Sequence, residues 1–370
     1  MKKLKFLSSF IALLLIDINL SAQTHDSKIA PSQKREVATV DIEQLSPIEY
    51  ADAAANWADE VARNAKNESA WINLYKATRY ASYTAHSRKL TKEKQLELDE
   101  IISRMTSAVP GSYAFHYAKY LNSNKTDESF SDLKEAYKIK PTEVELIDDM
   151  LCDAVIRKDD AAKRQFAELL SKSNQYNIAE VEYNRNVLNS VEQNGILITN
   201  GNVDTYPLIM MQQLQNFRSD VTIVCVEWLN SKQYQSQIKA LFGVKEGNEL
   251  TVDNLLSGKS GRSLYVALTM PPDFIQKNNN KLYCTGLAMK YSKVKLENLT
   301  SLAYNWETLF AKSRLADSDP INRNYLLPVL MLKEYYSRIG NTTGEAELQQ
   351  LSIQMAQRFK VEKQIKKHLD

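Results

Sequence analysis

One stretch of this chain constrains its fold more than any other: residues 195–228, GILITNGNVDTYPLIMMQQLQNFRSDVTIVCVEW. Ile196-Leu197-Ile198-Thr199 is a short apolar run, and residues 221–228 form a longer one rich in β-branched side chains. Between them, Leu208, Met211, Leu214 and Phe217 recur at helical spacing. A strand, a helix and a strand so close together predict a right-handed βαβ unit whose strands run parallel. Residues 263–269 and 281–288 add two more strand-like runs, so the sheet is expected to hold about four strands.

On either side the apolar period is helical. Ser46-Pro47-Ile48-Glu49 predicts a helix start, with Ser46 capping, Pro47 in the first turn and Glu49 completing a capping box. Ala51, Ala54, Ala58, Val61 and Ala65 then form a stripe of small residues that would let a second helix approach closely. After the α/β stretch, Asp319-Pro320 opens a helix expected to run to Gly340 with a kink at Pro328. Residues 341–357 and 361–369 follow as helices. Only ten glycines and nine prolines in 370 residues fit this helix-rich reading. The chain therefore divides into residues 41–190 (helical), 194–292 (α/β) and 293–370 (C-terminal helices).

The helical part resembles tetratricopeptide repeats. In Ser69-Ala70-Trp71-Ile72-Asn73-Leu74-Tyr75-Lys76-Ala77, Trp71, Leu74 and Ala77 occupy the large-large-small positions of that repeat's first helix. Residues 113–141 repeat the scheme, with Tyr113, Tyr117 and Tyr120 along one helix and Ala136 and Pro141 at the closing positions. A third hairpin is expected over residues 143–156 and 161–171, turning at 157–160. The fold class is thus mainly α: tetratricopeptide-like hairpins, an embedded small α/β unit and C-terminal helices. Most aromatics at this spacing belong to a core. Trp71, Tyr75, Tyr113 and Tyr117 are the candidates for a partner-binding face.

The N-terminus reads as a targeting segment. Lys2, Lys3 and Lys5 precede an apolar run over residues 6–16, and Ala22 offers a cleavage point. That run is far shorter than the roughly 20 residues a membrane span needs. Residues 1–22 are therefore expected to be a signal peptide and 23–40 a disordered polar lead-in. The expected destination is the periplasm or the exterior, with no transmembrane segment in the mature chain. Residues 1–22 hold three of the 47 basic and one of the 45 acidic residues, which leaves a balanced chain. A neutral chain argues against nucleic acid as a partner. Cys152, Cys225 and Cys284 are no disulfide framework; Cys225 and Cys284 either pair, if their strands are neighbours, or are buried thiols.

The loop Asn200-Gly201-Asn202-Val203-Asp204 holds the most unusual local chemistry. Its oxygen-bearing side chains open like a calcium loop, but Thr205 stands where glycine is needed and Met211 where the bidentate glutamate belongs. Its place at the end of a strand and the start of a helix suits an anion or small ligand, with Asn200, Asn202, Asp204, Thr205 and Tyr206 as candidates. The simpler alternative makes Asp204 the N-cap of its helix. Gly258-Lys259-Ser260 lacks the upstream glycine of a phosphate loop, since Asp253 stands there. His25, His86, His116 and His368 are scattered, so no metal, cofactor or catalytic constellation is expected. The acidic pairs Asp99-Glu100 and Asp148-Asp149 read as solvated helix faces.

Residues 196–201, Asp204-Thr205-Tyr206-Pro207-Leu208 and Arg218-Ser219-Asp220-Val221 resemble a signature of certain bacterial multi-spanning membrane proteins. These are glycosyltransferase-like, related to transmembrane O-mannosyltransferases, and their exported tails join such an α/β segment to tetratricopeptide-type helices. In them the loop reads approximately Asn-Gly-Asp-Asn-Asp-Thr, whereas Asn202 and Val203 stand in the middle here. The resemblance covers about residues 195–370, with residues 264–270 and 286–288 fitting more loosely. It places catalysis in a membrane-spanning part not found in this sequence, and so implies a free-standing accessory module. The expected function is non-enzymatic: an exported envelope protein that binds protein, peptide or glycan through its helical surface. The rival expectation is a small-ligand-binding or enzymatic module built on the Asn200–Tyr206 loop.

Overall fold

The computed structural model describes residues 36–39, 45–85, 90–123, 125–245, 247 and 250–369. The expected signal peptide, and all of the expected lead-in before Glu36, lie outside the described residues. The chain forms two compact units: one of the described residues up to Gln175 together with Trp228–Gln235, and one of Tyr176–Glu227 with the chain from Ser236 onward. The protein is mainly α with an embedded small α/β unit.

The first unit consists of helices. They are α1 (Pro47–Arg63), α2 (Glu68–Ala85), α3 (Lys92–Ala108), α4 (Tyr113–Asn122), α5 (Ser129–Ile139), α6 (Ile147–Ile156) and α7 (Asp160–Ser173). The capping box forms at the start of α1: Ser46 Oγ accepts from Glu49 N–H at 3.3 Å and Glu49 Oε2 accepts from Ser46 N–H at 2.8 Å. Helices α1 and α2, α4 and α5, and α6 and α7 pack as hairpins.

The inner face of α1 is not the alanine stripe. Ala51 and Ala58 are exposed, and Tyr50, Trp57 and Val61 turn inward. Aromatic rings bury far more apolar area than methyl groups, so they set the helix's rotation. Trp71, Leu74 and Ala77 in α2 and Ala136 in α5 are buried as their positions predicted. Asp148 and Asp149 depart from the expected solvated face and are buried. Asp148 accepts from Asp149 N–H and from Gln175 Nε2, and Asp149 pairs with Lys125 at 3.1 Å.

The second unit begins with α8 (Ile178–Asn189), followed by β1 (Ile196–Thr199), α9 (Tyr206–Gln215) and β2 (Thr222–Cys225). The chain passes through α10 (Lys232–Phe242) and α11 (Val252–Ser257), then β3 (Leu264–Ala267), α12 (Pro272–Asn278), β4 (Leu282–Cys284) and β5 (Ala288–Tyr291). The sheet order is β2-β1-β3-β5-β4. Strand β1 lies between β2 and β3, parallel to both, with Leu197 opposite Ile223 and Tyr265. The run at 281–288 is two strands rather than one, so the described sheet has five. The turn between them depends on Gly286, where a Cβ would lie 2.3 Å from Ser190 Oγ. Cys225 on β2 and Cys284 on β4 sit on opposite edge strands, so they form no disulfide, and both thiols are buried.

The C-terminal helices are α13 (Leu299–Tyr304), α14 (Leu326–Ile339), α15 (Thr342–Arg358) and α16 (Glu362–Leu369). Pro328 does not kink a long helix. A 3₁₀ turn, Pro320–Tyr325, precedes α14, and Pro328 falls in the first turn of α14, where no intrahelical amide bond is lost. Gly340 ends α14 with φ +75°, the left-handed cap that favours glycine. Among the described residues no helix is long and apolar enough to cross a membrane.

Candidate functional site

The loop after β1 lies where ligands bind in α/β sheets, because the chain leaves β1 for β2 on one side and returns to β3 on the other. Its acid, however, is turned inward. The Asp204 carboxylate accepts from the backbone N–H of Asn200 (3.0 Å, Oδ2) and Gly201 (2.9 Å, Oδ1). The Thr205 hydroxyl lies 3.2 Å from Oδ1, and the Thr269 hydroxyl, beyond the end of β3, donates to Oδ2. Asp204 is 1% exposed, and burial holds its carboxyl above the usual range against the pull of these donors.

Asp204 is therefore not the N-cap of α9. Thr205 takes that place without a side-chain cap bond, and its hydroxyl pairs with Thr199 at 2.8 Å. From α8, Asn184 Nδ2 donates to the Val203 carbonyl at 2.7 Å and holds the loop from a third side. A Cβ on Gly201 would lie 2.4 Å from the Glu227 carboxyl carbon, so the glycine is required by close approach. Thr205 and Tyr206 are fully buried, and only Asn200 and Asn202 among the five candidates keep partial exposure. Thr269, Asn184 and Glu227 complete the arrangement. None is adjacent to the loop in sequence, and Thr269 is 65 residues from Asp204.

The Arg218-Ser219-Asp220-Val221 motif is a clasp at the other end of the strands. Arg218 sits in the left-handed region at φ +50°. Its guanidinium donates to the carbonyls of Leu188 (2.7 Å), Val191 (2.9 Å) and Glu192 (3.1 Å), the C-terminal end of α8 and the turn after it. A cation there complements the helix dipole. Its Nε and Nη2 pair with both Asp220 oxygens at 2.9 Å, and these bonds hold the Asp220 carboxyl down to about 2. Asp220 also accepts from Asn194 N–H at 2.9 Å. A cleft of about 810 Å³ opens nearby, lined among others by Glu192, Tyr265, Lys290, Asn298 and Tyr304. Within it Lys290 pairs with Glu192 and Arg218 with Asp220.

The four aromatic candidates of the helical unit are core residues. Trp71, Tyr75, Tyr113 and Tyr117 are between 0% and 4% exposed, so they cannot form an exposed face. Burial pushes the Tyr75 hydroxyl up to about 12 and the Tyr113 and Tyr117 hydroxyls well above their ordinary value. Tyr113 and Tyr117 lie side by side along α4, their rings tilted by 30° with centroids 5.6 Å apart. Tyr113 borders a cleft of about 200 Å³ between α2, α4 and the turn after α5.

That cleft holds backbone. Val37 N–H donates to Asn73 Oδ1 at 2.6 Å, and Thr39 N–H donates to Glu145 Oε1 at 3.0 Å. Asn73 is oriented by its own donation to the Ser69 carbonyl at 2.8 Å. Lys76 Nζ lies 3.0 Å from both Glu145 oxygens. Burial raises the Glu145 carboxyl, while Lys76 and the Thr39 amide oppose that rise. Among the described residues no group of three His, Cys, Asp or Glu side chains is placed to hold a metal ion.

The fold defines a mainly helical protein whose α/β part closes its strand ends with an internally satisfied loop and an arginine clasp. Within that part, residues 180–252 match the family model of TMEM260-associated domain 2. The match runs from α8 through β1, α9, β2 and α10, and takes in both the loop and the clasp. No curated protein and no solved structure matches the chain.

Proposed function

We propose that this chain is an exported, non-catalytic binding protein of the bacterial cell envelope that recognises a partner through its helical unit. The observation that carries the reading is the cleft between α2 and α4. Its polar side chains, Asn73 and Glu145, already grip backbone amides, which is how extended peptides are bound without regard to their sequence. A protein or peptide partner fits this chemistry better than a glycan, whose hydroxyls would meet a charged, partly apolar rim.

The α/β unit serves as a structural module in this reading. The match to TMEM260-associated domain 2 supports kinship with the exported tails of O-mannosyltransferase-like membrane proteins. The competing reading, a ligand or catalytic site at Asn200–Tyr206, needs an accessible acid. Asp204 offers none, because four internal donors occupy its two oxygens.

The test is a pull-down from envelope extract with the full chain and with a folded Asn73→Ala/Lys76→Ala variant. A partner retained by the first and lost by the second supports the proposal. A folded full chain that retains nothing overturns it. Fractionation of cells expressing the chain, with N-terminal sequencing of the product, tests export and cleavage near Ala22.

A further inference from the structure

The segment in the helical cleft is the chain's own. Residues 36–39 have no regular secondary structure, yet the amides of Val37 and Thr39 are both caught by side chains of one cleft. Residues two apart present their N–H groups to the same side only when the backbone is extended. Val37 is 3% exposed, whereas Glu36 is exposed and Ala38 and Thr39 are half-buried. One β-branched side chain therefore anchors the segment, and two backbone bonds fix its direction.

The receiving groups are built for the task. Asn73 is 3% exposed and Lys76 is 6% exposed, both on α2. Asn73 donates to Ser69, which leaves its carbonyl oxygen aimed at the bound amide. Glu145 is held by Lys76 through both oxygens and still accepts from Thr39, as a carboxylate with about four acceptor sites can. Nothing in these bonds reads the identity of residue 36, 38 or 39. Beside the segment the cleft is lined by Glu68, Ser69, Tyr113, Lys140 and Glu143. Lys140 lies 4.4 Å from the centre of the Tyr113 ring, so one wall joins a cation to an aromatic face.

We propose, on the strength of the binding reading above, that this cleft takes an extended peptide presenting a valine or isoleucine, and that residues 36–39 are its resident competitor. A partner strand displaces them, makes the same two backbone bonds, and reaches the wall formed by Tyr113 and Lys140. Competition of this kind weakens the apparent affinity by the fraction of time the cleft is open. Tethering gives the resident a high effective concentration, so only a strand with further contacts succeeds.

The probe is a fluorescein-labelled synthetic peptide with the sequence of residues 34–41, titrated by fluorescence polarisation into the full chain. Val37→Asp in the protein puts a charge into the apolar anchor site and should release the resident. That variant is expected to bind the probe about tenfold or more tightly than the unsubstituted chain, as for a site open a tenth of the time or less. Adding Asn73→Ala or Glu145→Ala to it should abolish the gain, and a probe with aspartate in place of its valine should not bind. Equal binding by the unsubstituted chain and Val37→Asp overturns the resident's role. No binding by a folded Val37→Asp variant overturns the cleft as a peptide site, although the pull-down can still succeed through another surface. Should Val37→Asp fail to fold, trypsin cleavage at Arg35 is compared between the unsubstituted chain and Asn73→Ala. Faster cleavage in the variant supports the docking, and an unchanged rate overturns it. Concentration-dependent dimers that Val37→Asp abolishes would place the segment in a second copy and overturn the intramolecular assignment.

Discussion

Removing the Arg218 guanidinium should open the α/β unit from its strand-entry end. In Arg218→Ala the carbonyls of Leu188, Val191 and Glu192 lose their donor, and Asp220 loses both bonds. The drop of the Asp220 carboxyl from 3.8 to about 2 corresponds to roughly 2 kcal/mol at about 1.4 kcal/mol per pH unit, of which Arg218 supplies the largest share and the Asn194 and Asp220 amides the rest. Both side chains are about three-quarters shielded, so only part of this is lost to solvent screening. Each carbonyl bond adds about 1 kcal/mol, reduced where water can replace the donor. Relief of the left-handed backbone is not gained with alanine, which is strained at φ +50° as arginine is. The expected loss is about 3–4 kcal/mol for alanine and about half that for lysine, which keeps the charge but not the forked geometry. Native-state hydrogen exchange at the β1 and β2 amides reads this unit alone. A double-mutant cycle with Asp220→Asn should give a coupling of about 1–2 kcal/mol. A loss below about 1 kcal/mol, or no coupling, would refute the reasoning.

Four smaller expectations follow from the same geometry. Gly201→Ala forces the Glu227 carboxylate aside and should cost about 1 kcal/mol or more in thermal or urea unfolding, a cost that Glu227→Ala reduces. Thr269→Val takes one charge-directed hydrogen bond from buried Asp204 and should cost about 1.5–3 kcal/mol in the same assay, with no cost if the loop is open to water. Glu180, which burial and then the facing Asp319 push up to about 7 from 4.5, takes up a proton on folding. Its contribution is present below pH 4.5 and fades as pH rises through 7, so Glu180→Gln should flatten the stability profile of the unit over that interval. The three buried thiols should resist a thiol reagent until unfolding, most of all Cys284, which burial pushes up to about 12.

Local signals were legible wherever the partners are neighbours in sequence. The capping box of Ser46 and Glu49, the helix end at Gly340 and the βαβ succession all form as written. What depended on distant partners was not. Nothing near Asp204 announces that Thr269 will close over it, and a carboxylate among asparagines looks the same whether it faces water or its own loop. Tyr113 and Tyr117 show why aromatic spacing cannot separate a core from a recognition face, since both obey one helical period. The helical cleft was hidden for a further reason. Asn73 and Lys76 look like ordinary solvated residues of α2, and the partner that gives Lys76 its meaning, Glu145, lies 69 residues on. The turn at Gly286 was missed because residues 281–288 are apolar almost throughout, and only the Ser190 contact makes that glycine necessary.

The central claim, that the helical unit engages a partner through the cleft beside α2, is tested most directly by site-specific photo-crosslinking in cells. A photoreactive residue at Glu68, on the rim of the cleft, is compared with one at Leu96, an exposed position on α3. The account predicts a discrete adduct from position 68, reduced by Asn73→Ala, and none from position 96. Adducts from both positions alike, or an adduct at 68 that is indifferent to Asn73→Ala, would contradict it.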